Sequence, residues 1–241
     1  MPSSRFLVAV FEFMLLLFSL SFHECAHAWM ASMLGDQTAR LQGRITLNPM
    51  YHADPIGTFL IPGIIIFGPL VGFSLLSGFL IGWAKPTPVI TRNFRKIVRD
   101  DNLTTLAGPA SNLILVLLAF ILLAVVCVVV PEGRMLVVTT FEGGMVFGRS
   151  GGVSGFLPAI VLLAVLCILV NLSLFLFNLL PIPPLDGSRI LRNVLPYRAV
   201  QAYDRIPIWI SYLLMILVGG SILMALLRPA LGLIFAMLLH I

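Results

Sequence analysis

Residues 6–34 read FLVAVFEFMLLLFSLSFHECAHAWMASML. This apolar run contains His23, Glu24 and His27 near its end. The run is longer than the roughly 20 apolar residues that a helix needs to cross a bilayer. It is also too long for a secretory signal, so we predict that it is retained as the first helix. The stretch therefore predicts a membrane protein with ionisable groups inside its first span.

The whole chain has the composition of a membrane protein. Of its 241 residues, 59% are hydrophobic and 10% are charged, whereas soluble domains carry about 25% charged residues. The formal charge of +5 does not favour nucleic acid as a partner, because the basic residues lie next to apolar runs, as in cytoplasmic loops that contact anionic headgroups. The three cysteines all lie in apolar runs, without disulfide or zinc spacing. We predict one integral-membrane domain over residues 1–241, in contact with lipid and not with nucleic acid.

The other apolar runs predict an all-α polytopic fold. Helices are expected at about 103–130, 156–181 and 206–228, whereas residues 230–241 are too short to cross unless they tilt, and are left undecided. The run 56–83 contains repeated prolines and glycines, which is typical of a re-entrant segment that is shielded by protein or lines a wet cavity. A short β-hairpin is a further prediction for residues 38–50.

The polar residues of the first helix form an H-E-x-x-H motif. His23 and His27 lie four residues apart and share one helix face, with Glu24 beside them. Neutral imidazoles suit zinc, and an open coordination position keeps a water whose pKa the metal lowers towards ~7. Glu24 would take that water's proton. Because ionisable residues inside a span are costly, we predict one catalytic zinc ion per chain here.

A catalytic zinc normally takes a third protein ligand. Asp186 lies in the segment NLLPIPPLDG, residues 178–187, where prolines end a helix and stiffen an extended approach. A rigid carboxylate at a helix end makes a suitable ligand. The full set of candidates at a compatible depth is Glu12, His52, Asp54, Asp186 and Asp204.

Three motifs together resemble the site-2 proteases, a family of intramembrane zinc metalloproteases. They are H-E-x-x-H at 23–27, AGPASN at 107–112 and N-x-x-P-x-P-x-x-D-G at 178–187, in the family's order. The stretches 48–57 and 82–88 are similar to a compact subgroup without PDZ or CBS domains. The resemblance implies a three-helix catalytic core with Glu24 as acid and base and Asn178 near the site. The ligands it implies are His23, His27 and Asp186.

Three further residues are candidates for substrate or oxyanion binding. The Asn178 amide suits a developing oxyanion, with a structural role as an equal alternative. Asn112, near Gly108, fits helix packing better than direct catalysis. His52 is predicted as a loop histidine close to the site, because its spacing from Asp54 does not put the two on one helix face.

The shared metal also predicts a topology. The two histidines lie near the end of the first run and Asp186 follows the fourth, so these helices must be parallel. An odd number of crossings must therefore separate them, and run 103–130 supplies one. Run 56–83 is too short for two further helices, so it should enter and leave the membrane on the same side. The positive-inside rule makes the metal side cytoplasmic and puts the N-terminus outside, in a plasma membrane that we predict to be prokaryotic. The basic residues on that side are Arg40, Arg44 and those in 85–99 and 189–205.

These features predict hydrolysis of peptide bonds within or near the transmembrane segments of membrane or membrane-anchored proteins. The substrate would unwind locally, because a helix hides its carbonyls, and a strand edge at 40–46 would bind it by β-addition. A metal transporter or channel explains the ligands but not Glu24, and needs polar positions in several helices. An inactive scaffold that binds client helices would not need the complete ligand set that this chain has. A di-iron oxidase usually needs more histidines than the four present. Substrate identity and oligomeric state stay open.

Overall fold

The protein is described by a computed structural model that covers residues 2–73, 84–141 and 156–241. Over these residues it is all-α and contains no strand, which confirms the predicted fold class. The helices are α1 (Pro2–Leu34), α2 (Thr38–Leu41), α3 (Ile61–Phe67), α4 (Ile97–Val129), α5 (Gly133–Phe141), α6 (Leu157–Asn178), α7 (Asp186–Val194), α8 (Tyr197–Tyr203), α9 (Ile208–Leu214) and α10 (Gly220–Leu239). A π-helical turn, Met215–Gly219, joins α9 to α10 without a break.

Four helical stretches are long and apolar enough to cross a bilayer, judged by length and composition. The last of them continues past residue 228, where the sequence suggested an end, to Leu239. Pro229 lies inside α10 and removes one backbone hydrogen bond. Leu238 is only 1% exposed and joins the main apolar core, and this packing offsets the cost of the proline. The four stretches are Arg5–Leu34, Ile97–Val129, Leu157–Asn178 and Ile208–Leu239.

The helices α1, α4 and α6 pack against one another with alternating directions. On α1, His23 contacts Asn112 and His27 contacts Thr104, so the contact order along α4 is reversed and the two helices are antiparallel. Leu16 packs with Val170 and Leu174 of α6, and His23 meets a residue just beyond the end of α6, so α1 and α6 are parallel. The apolar core between α4 and α6 includes Val116, Ala119, Leu123, Val126, Val161, Val165 and Ile168.

The predicted re-entrant run begins with a π-helical turn, Pro55–Leu60, and continues through α3 to a 3-10 turn, Gly68–Val71. The Asp54 carboxylate starts this stretch, because its Oδ1 accepts hydrogen bonds from the backbone of Ile56 and Gly57 at 3.0 and 2.7 Å. Gly72 ends it with φ +85°, in the left-handed region. The stretch is shorter than the four candidate spans. Residues 74–83 of the predicted segment lie outside the described residues.

The structure does not form the hairpin suggested for residues 38–50. It has the short helix α2, a turn at Gly43 with φ +68°, and a 3-10 turn at Pro49–Tyr51. Local hydrogen bonds favour turns here. Asp36 Oδ1 accepts hydrogen bonds from the backbone N–H and the hydroxyl of Thr38, and this turn leads into α2 instead of into a strand. The strand edge expected at 40–46 is therefore absent from this described segment.

Candidate metal centre

Three side chains from two distant parts of the chain converge on one point. His23 and His27 come from α1, and Asp186 is the first residue of α7. The two histidine Nε2 atoms lie 3.0 Å apart, and Asp186 Oδ2 lies 3.1 Å from Nε2 of His23 and 3.3 Å from Nε2 of His27. In a tetrahedral zinc site with bonds of about 2.0–2.1 Å, neighbouring ligand atoms lie about 3.3 Å apart. The three atoms therefore fit a zinc ion.

Hydrogen bonds on the far side of each ring show which nitrogen faces the metal point. His27 Nδ1 lies 2.7 Å from the carbonyl oxygen of Thr104, which can only accept, so Nδ1 carries the proton. His23 Nδ1 lies 2.6 Å from Oδ1 of Asn112. Both Nε2 atoms then present lone pairs towards each other and towards the Asp186 carboxylate. Two imidazole lone pairs and a carboxylate oxygen that converge in this way form a ligand set suited to zinc.

The orientation of the Asn112 amide is fixed by a second buried asparagine. Asn112 Nδ2 donates to Oδ1 of Asn171 at 2.9 Å, and Asn171 Nδ2 donates to the carbonyl oxygen of Cys167 at 3.0 Å. Both asparagines are 0% exposed. The series of amides therefore leaves Asn112 Oδ1 as the acceptor for His23 Nδ1–H.

Gly108 lets α4 come close to both histidines. A Cβ atom at this position would overlap Nε2 of His27 and would lie 2.6 Å from Nε2 of His23. Any side chain at position 108 would therefore occupy the space beside the ligand atoms. The glycine of the AGPASN motif is a requirement of the metal centre as well as of helix packing.

Glu24 lies beside the three ligands and is held by the segment 84–90. Its Oε2 accepts hydrogen bonds from the backbone N–H of Thr87 at 3.0 Å and from the Thr87 hydroxyl at 2.8 Å. Glu24 offers a ligand atom within 4.8 Å of those of His23 and His27. Because Oε2 is engaged by Thr87, we assign the third ligand position to Asp186 and leave Glu24 beside the metal.

The segment that carries Thr87 is fastened to the end of α1 by Asp36. Its Oδ2 accepts from the backbone N–H of Ile90 at 2.7 Å, and its Oδ1 accepts from Nδ2 of Asn93 at 2.8 Å. Burial raises the pKa of the Asp36 carboxyl, but the hydrogen bonds from Thr38, Ile90 and Asn93 outweigh burial and hold that pKa below its ordinary value. Asp36 is therefore a carboxylate at neutral pH.

Contacts with α4 fix the position of Asp186. Arg189 Nη2 donates to Oδ1 of the buried Asp101 at 2.7 Å, and Asn193 Nδ2 donates to its Oδ2 at 2.7 Å. A Cβ at Gly187 would overlap the carbonyl oxygen of Leu179, so this glycine lets α7 begin against the end of α6.

A cavity of about 520 Å³ leads away from the metal point. It runs between α1 and α6 and is flanked by α3 and by the α9–α10 helix. Its walls are mostly apolar. The polar lining residues away from the ligands include Glu12, Ser173, Asn178 and Tyr212.

The remaining candidates lie in different surroundings. Asn178 lines the cavity and donates one hydrogen to the carbonyl oxygen of Leu174 at 2.9 Å. Asn112 lies behind His23 and does not line the cavity. His52 is buried outside the cavity, with Nε2 2.9 Å from the carbonyl oxygen of Thr46.

Two of the alternative third ligands are used elsewhere. Asp54 starts the π-helical turn, and Asp204 pairs with Arg192 at 2.9 Å. Three groups at the site were not predicted from the sequence: Thr87, the Thr104 carbonyl and Asn171. A signal existed for Asn171, because it is an amide inside an otherwise apolar span, and for Thr87, because it lies in the stretch 82–88 that resembles the compact subgroup.

Comparisons with known proteins found one matching family and two curated relatives. Residues 11–220 match Peptidase family M50. The protein named "Putative zinc metalloprotease YwhC" of Bacillus subtilis (strain 168) is 41% identical over 181 residues, which cover 75% of this chain and 67% of that protein. "Putative zinc metalloprotease Rip2" of Mycolicibacterium smegmatis is 30% identical over 171 residues, or 71% of this chain. The chain spans about half of that second relative, 52%. No solved structure matches.

The family match includes α1 from position 11 onwards, α4, α6 and α7, and so contains all three candidate ligand residues. It also includes the whole of two candidate spans, Ile97–Val129 and Leu157–Asn178, and parts of the first and the last. The chain therefore belongs to peptidase family M50, the site-2 protease family of zinc metalloproteases, and is a multi-pass membrane protein.

Proposed function

We propose that this protein is an intramembrane zinc peptidase that hydrolyses peptide bonds within or near transmembrane segments of membrane-protein substrates. The observation that carries the proposal is the convergence of two Nε2 lone pairs and one carboxylate oxygen at 3.0–3.3 Å, at the end of an apolar cavity. The names of the two relatives support zinc-dependent proteolysis. An apolar cavity between spanning helices supports a transmembrane substrate.

His23, His27 and Asp186 would hold the metal. When bound, zinc supplies Lewis acidity that polarises the scissile carbonyl and lowers the pKa of an attacking water. Glu24 takes a proton from that water and passes it to the leaving amine nitrogen, so that the peptide gains one hydroxyl and one hydrogen. Thr87 donates two hydrogen bonds to Oε2 of Glu24 and leaves Oε1 to take the proton.

The rest of the cavity positions the substrate. Asn178 ties one amide hydrogen to Leu174 and keeps a second N–H for a substrate carbonyl or the developing oxyanion. The apolar walls exclude bulk water and strengthen the electrostatic interactions at the site. The substrate segment unwinds where it is cleaved, because helical carbonyls are already engaged in hydrogen bonds.

The test compares zinc content and cleavage of a panel of single-pass substrates in proteoliposomes. The variants are Glu24→Gln and Asp186→Ala, with Asp204→Asn as a carboxylate control at an exposed ion pair. We expect wild type and the control to hold about one zinc and to cleave. Glu24→Gln should keep zinc while kcat/KM falls by about 10²–10⁴-fold, the usual contribution of a general base. Asp186→Ala should lose zinc.

Two results would contradict the proposal. Normal cleavage by Glu24→Gln would exclude Glu24 as the base. Zinc binding without cleavage by any form would favour the transporter or the scaffold interpretation.

A further inference from the structure

The face of α1 that carries the metal ligands also carries a second acidic residue. Glu12, Leu16, Leu20, His23 and His27 follow one another at intervals of four, four, three and four, which places them on one stripe of a helix. All five line the cavity. At 1.5 Å per residue, Glu12 lies about 16 Å along α1 from His23, which is too far for it to bind the same metal.

The residues around Glu12 do not supply a partner for its carboxyl group. The residue is partly buried within the candidate span Arg5–Leu34. Among the residues that the structure describes, Glu12 has no hydrogen-bond or ion-pair partner. Ionisable residues in spans are costly and mark functional positions, usually facing a cavity or a partner. The apolar cavity residues contributed by the neighbouring helices include Pro62, Ile65, Ile66, Val170, Leu223 and Met224.

We propose that Glu12 binds a hydrogen-bond-donating side chain, an amide, hydroxyl or ammonium group, in the transmembrane segment of the substrate. This proposal rests on the proposed function and assigns a recognition subsite to the same cavity. A carboxyl group accepts a hydrogen bond from N–H or O–H whether or not it is ionised. In an apolar cavity, leaving such an acceptor unpaired costs more than the pair contributes, so a segment without a donor is disfavoured.

The distance along α1 predicts where the donor lies in the substrate. A span of about 16 Å corresponds to about five residues of extended chain, at about 3.3 Å each, or about eleven residues of helix. The substrate is unwound at the scissile bond and helical further away. We therefore expect the donor between about five and eleven residues from the scissile bond.

The experiment uses a single-pass substrate that keeps its cleavage site, with every other polar residue of the segment changed to leucine. One glutamine or one lysine is then placed at each position out to about 14 residues from the scissile bond. The measured quantity is the ratio of kcat/KM between donor-bearing and donor-free peptides, because a ratio within one enzyme cancels differences in folded fraction. The enzymes are wild type, Glu12→Leu, Glu12→Gln and the outward-facing control Met14→Leu, whose side chain is 62% exposed.

We expect wild type and Met14→Leu to prefer a donor by about tenfold at one or two positions in the predicted window. Glu12→Leu should bring the ratio to about one for both donors. Glu12→Gln should keep the preference for glutamine and weaken the preference for lysine, because the amide oxygen accepts a hydrogen bond but carries no charge. An unchanged ratio in Glu12→Leu, or no preferred position in wild type, would overturn the proposal.

A binding measurement separates this proposal from the proposed function. The same peptides, fitted with a photo-crosslinker, are bound to the Glu24→Gln protein in phosphatidylcholine vesicles, with and without Glu12→Leu. Stronger crosslinking of the donor-bearing peptide that is lost with Glu12→Leu supports the subsite, even if no form of the protein cleaves. Equal crosslinking of both peptides overturns it, even if wild type is an active protease.

Discussion

At the scale of single residues, position 108 has no room for a side chain. We expect Gly108→Ala to abolish zinc binding, because its Cβ would overlap Nε2 of His27 and press on Nε2 of His23. Gly232→Ala is the matched control, since a Cβ at this helical glycine meets no atom within 4 Å. Zinc per chain, measured by atomic absorption on the folded fraction, checks the prediction. Full zinc content in Gly108→Ala would show that zinc binding does not require the close approach of α4 to the two histidines.

The hydrogen bond between Asn112 and Asn171 predicts that Asn171 affects zinc affinity, although Asn171 is not a candidate ligand. Asn171→Leu removes the acceptor that orients Asn112, and with it the fixed partner of His23 Nδ1–H. Zinc affinity should fall about 10–100-fold, as for other partners of ligating histidines. Asn112→Leu should do the same, whereas Asn112→Asp should keep much of the affinity, because a carboxylate also accepts from Nδ1–H.

Competition with a chelator measures these affinities. The control is Ser211→Ala, because the buried Ser211 hydroxyl has no hydrogen-bond partner in the described part of the chain. Wild-type affinity in Asn171→Leu would mean that Asn112 keeps its orientation without Asn171.

The sequence predicted the residues whose spacing follows from one helix. His23, Glu24 and His27 share a turn, so their proximity is a property of α1 alone. Asp186 required the additional argument from proline rigidity, and the structure brings its carboxylate to both histidines. Thr87 and Asn171 could not be found in this way, because their contacts join positions 63 and 59 residues apart in the chain. Such pairings depend on the tertiary fold and leave no periodic pattern.

At the scale of elements, the short helix α7 carries Asp186, the proposed third ligand, and contacts with α4 hold this helix in place. Its Arg189 pairs with Asp101, whose side chain is 9% exposed, whereas its Arg192 pairs with Asp204, whose side chain is 45% exposed. The Asp101 carboxylate accepts from both Arg189 and Asn193 of α7, whereas the exposed pair of Arg192 and Asp204 is of a kind that contributes little to stability. Loss of the Arg189 partner therefore tests the contact with α4, and loss of the Arg192 partner is its control on the same helix.

We expect Asp101→Ala to lower zinc affinity at least about tenfold, because α7 loses its anchor on α4. Asp204→Ala should change the affinity by less than about twofold. Chelator competition and thermal unfolding of both variants check this prediction. Equal effects of the two substitutions would show that the contact with α4 does not position Asp186.

Local hydrogen bonds from side chains to the backbone explain why the elements around residues 36–60 were harder to predict than the spans. Long apolar runs determine spanning helices by length alone, but the segment after α1 is polar and short. There, Asp36 and Asp54 start helical turns by accepting backbone hydrogen bonds, and this local chemistry replaces the expected hairpin. A carboxylate that accepts from a backbone N–H two residues ahead is a local signal for such a turn.

At the scale of the whole molecule, the antiparallel arrangement of α4 relative to α1 and α6 sets which chain ends share a side. The metal point, the end of α1 and the start of α4 lie on one side, and the end of α4 lies on the other. Basic residues concentrate on the metal side, so the positive-inside rule predicts that this side is cytoplasmic. They include Arg40, Arg44, Lys85, Arg92, Arg95, Lys96, Arg99, Arg189, Arg192, Arg198 and Arg205.

Single cysteines on either side of α4 test this orientation in a protein whose three native cysteines are replaced by alanine. Arg92 precedes α4, Arg134 follows it, and both are exposed. We expect an impermeant thiol reagent added to intact cells to label Arg134→Cys and to label Arg92→Cys only after lysis. The helix between them is 33 residues long and apolar enough to cross once, which separates the two thiols. Labelling of both in intact cells would contradict a single crossing by α4, and labelling of Arg92→Cys alone would reverse the predicted orientation and put the metal centre outside.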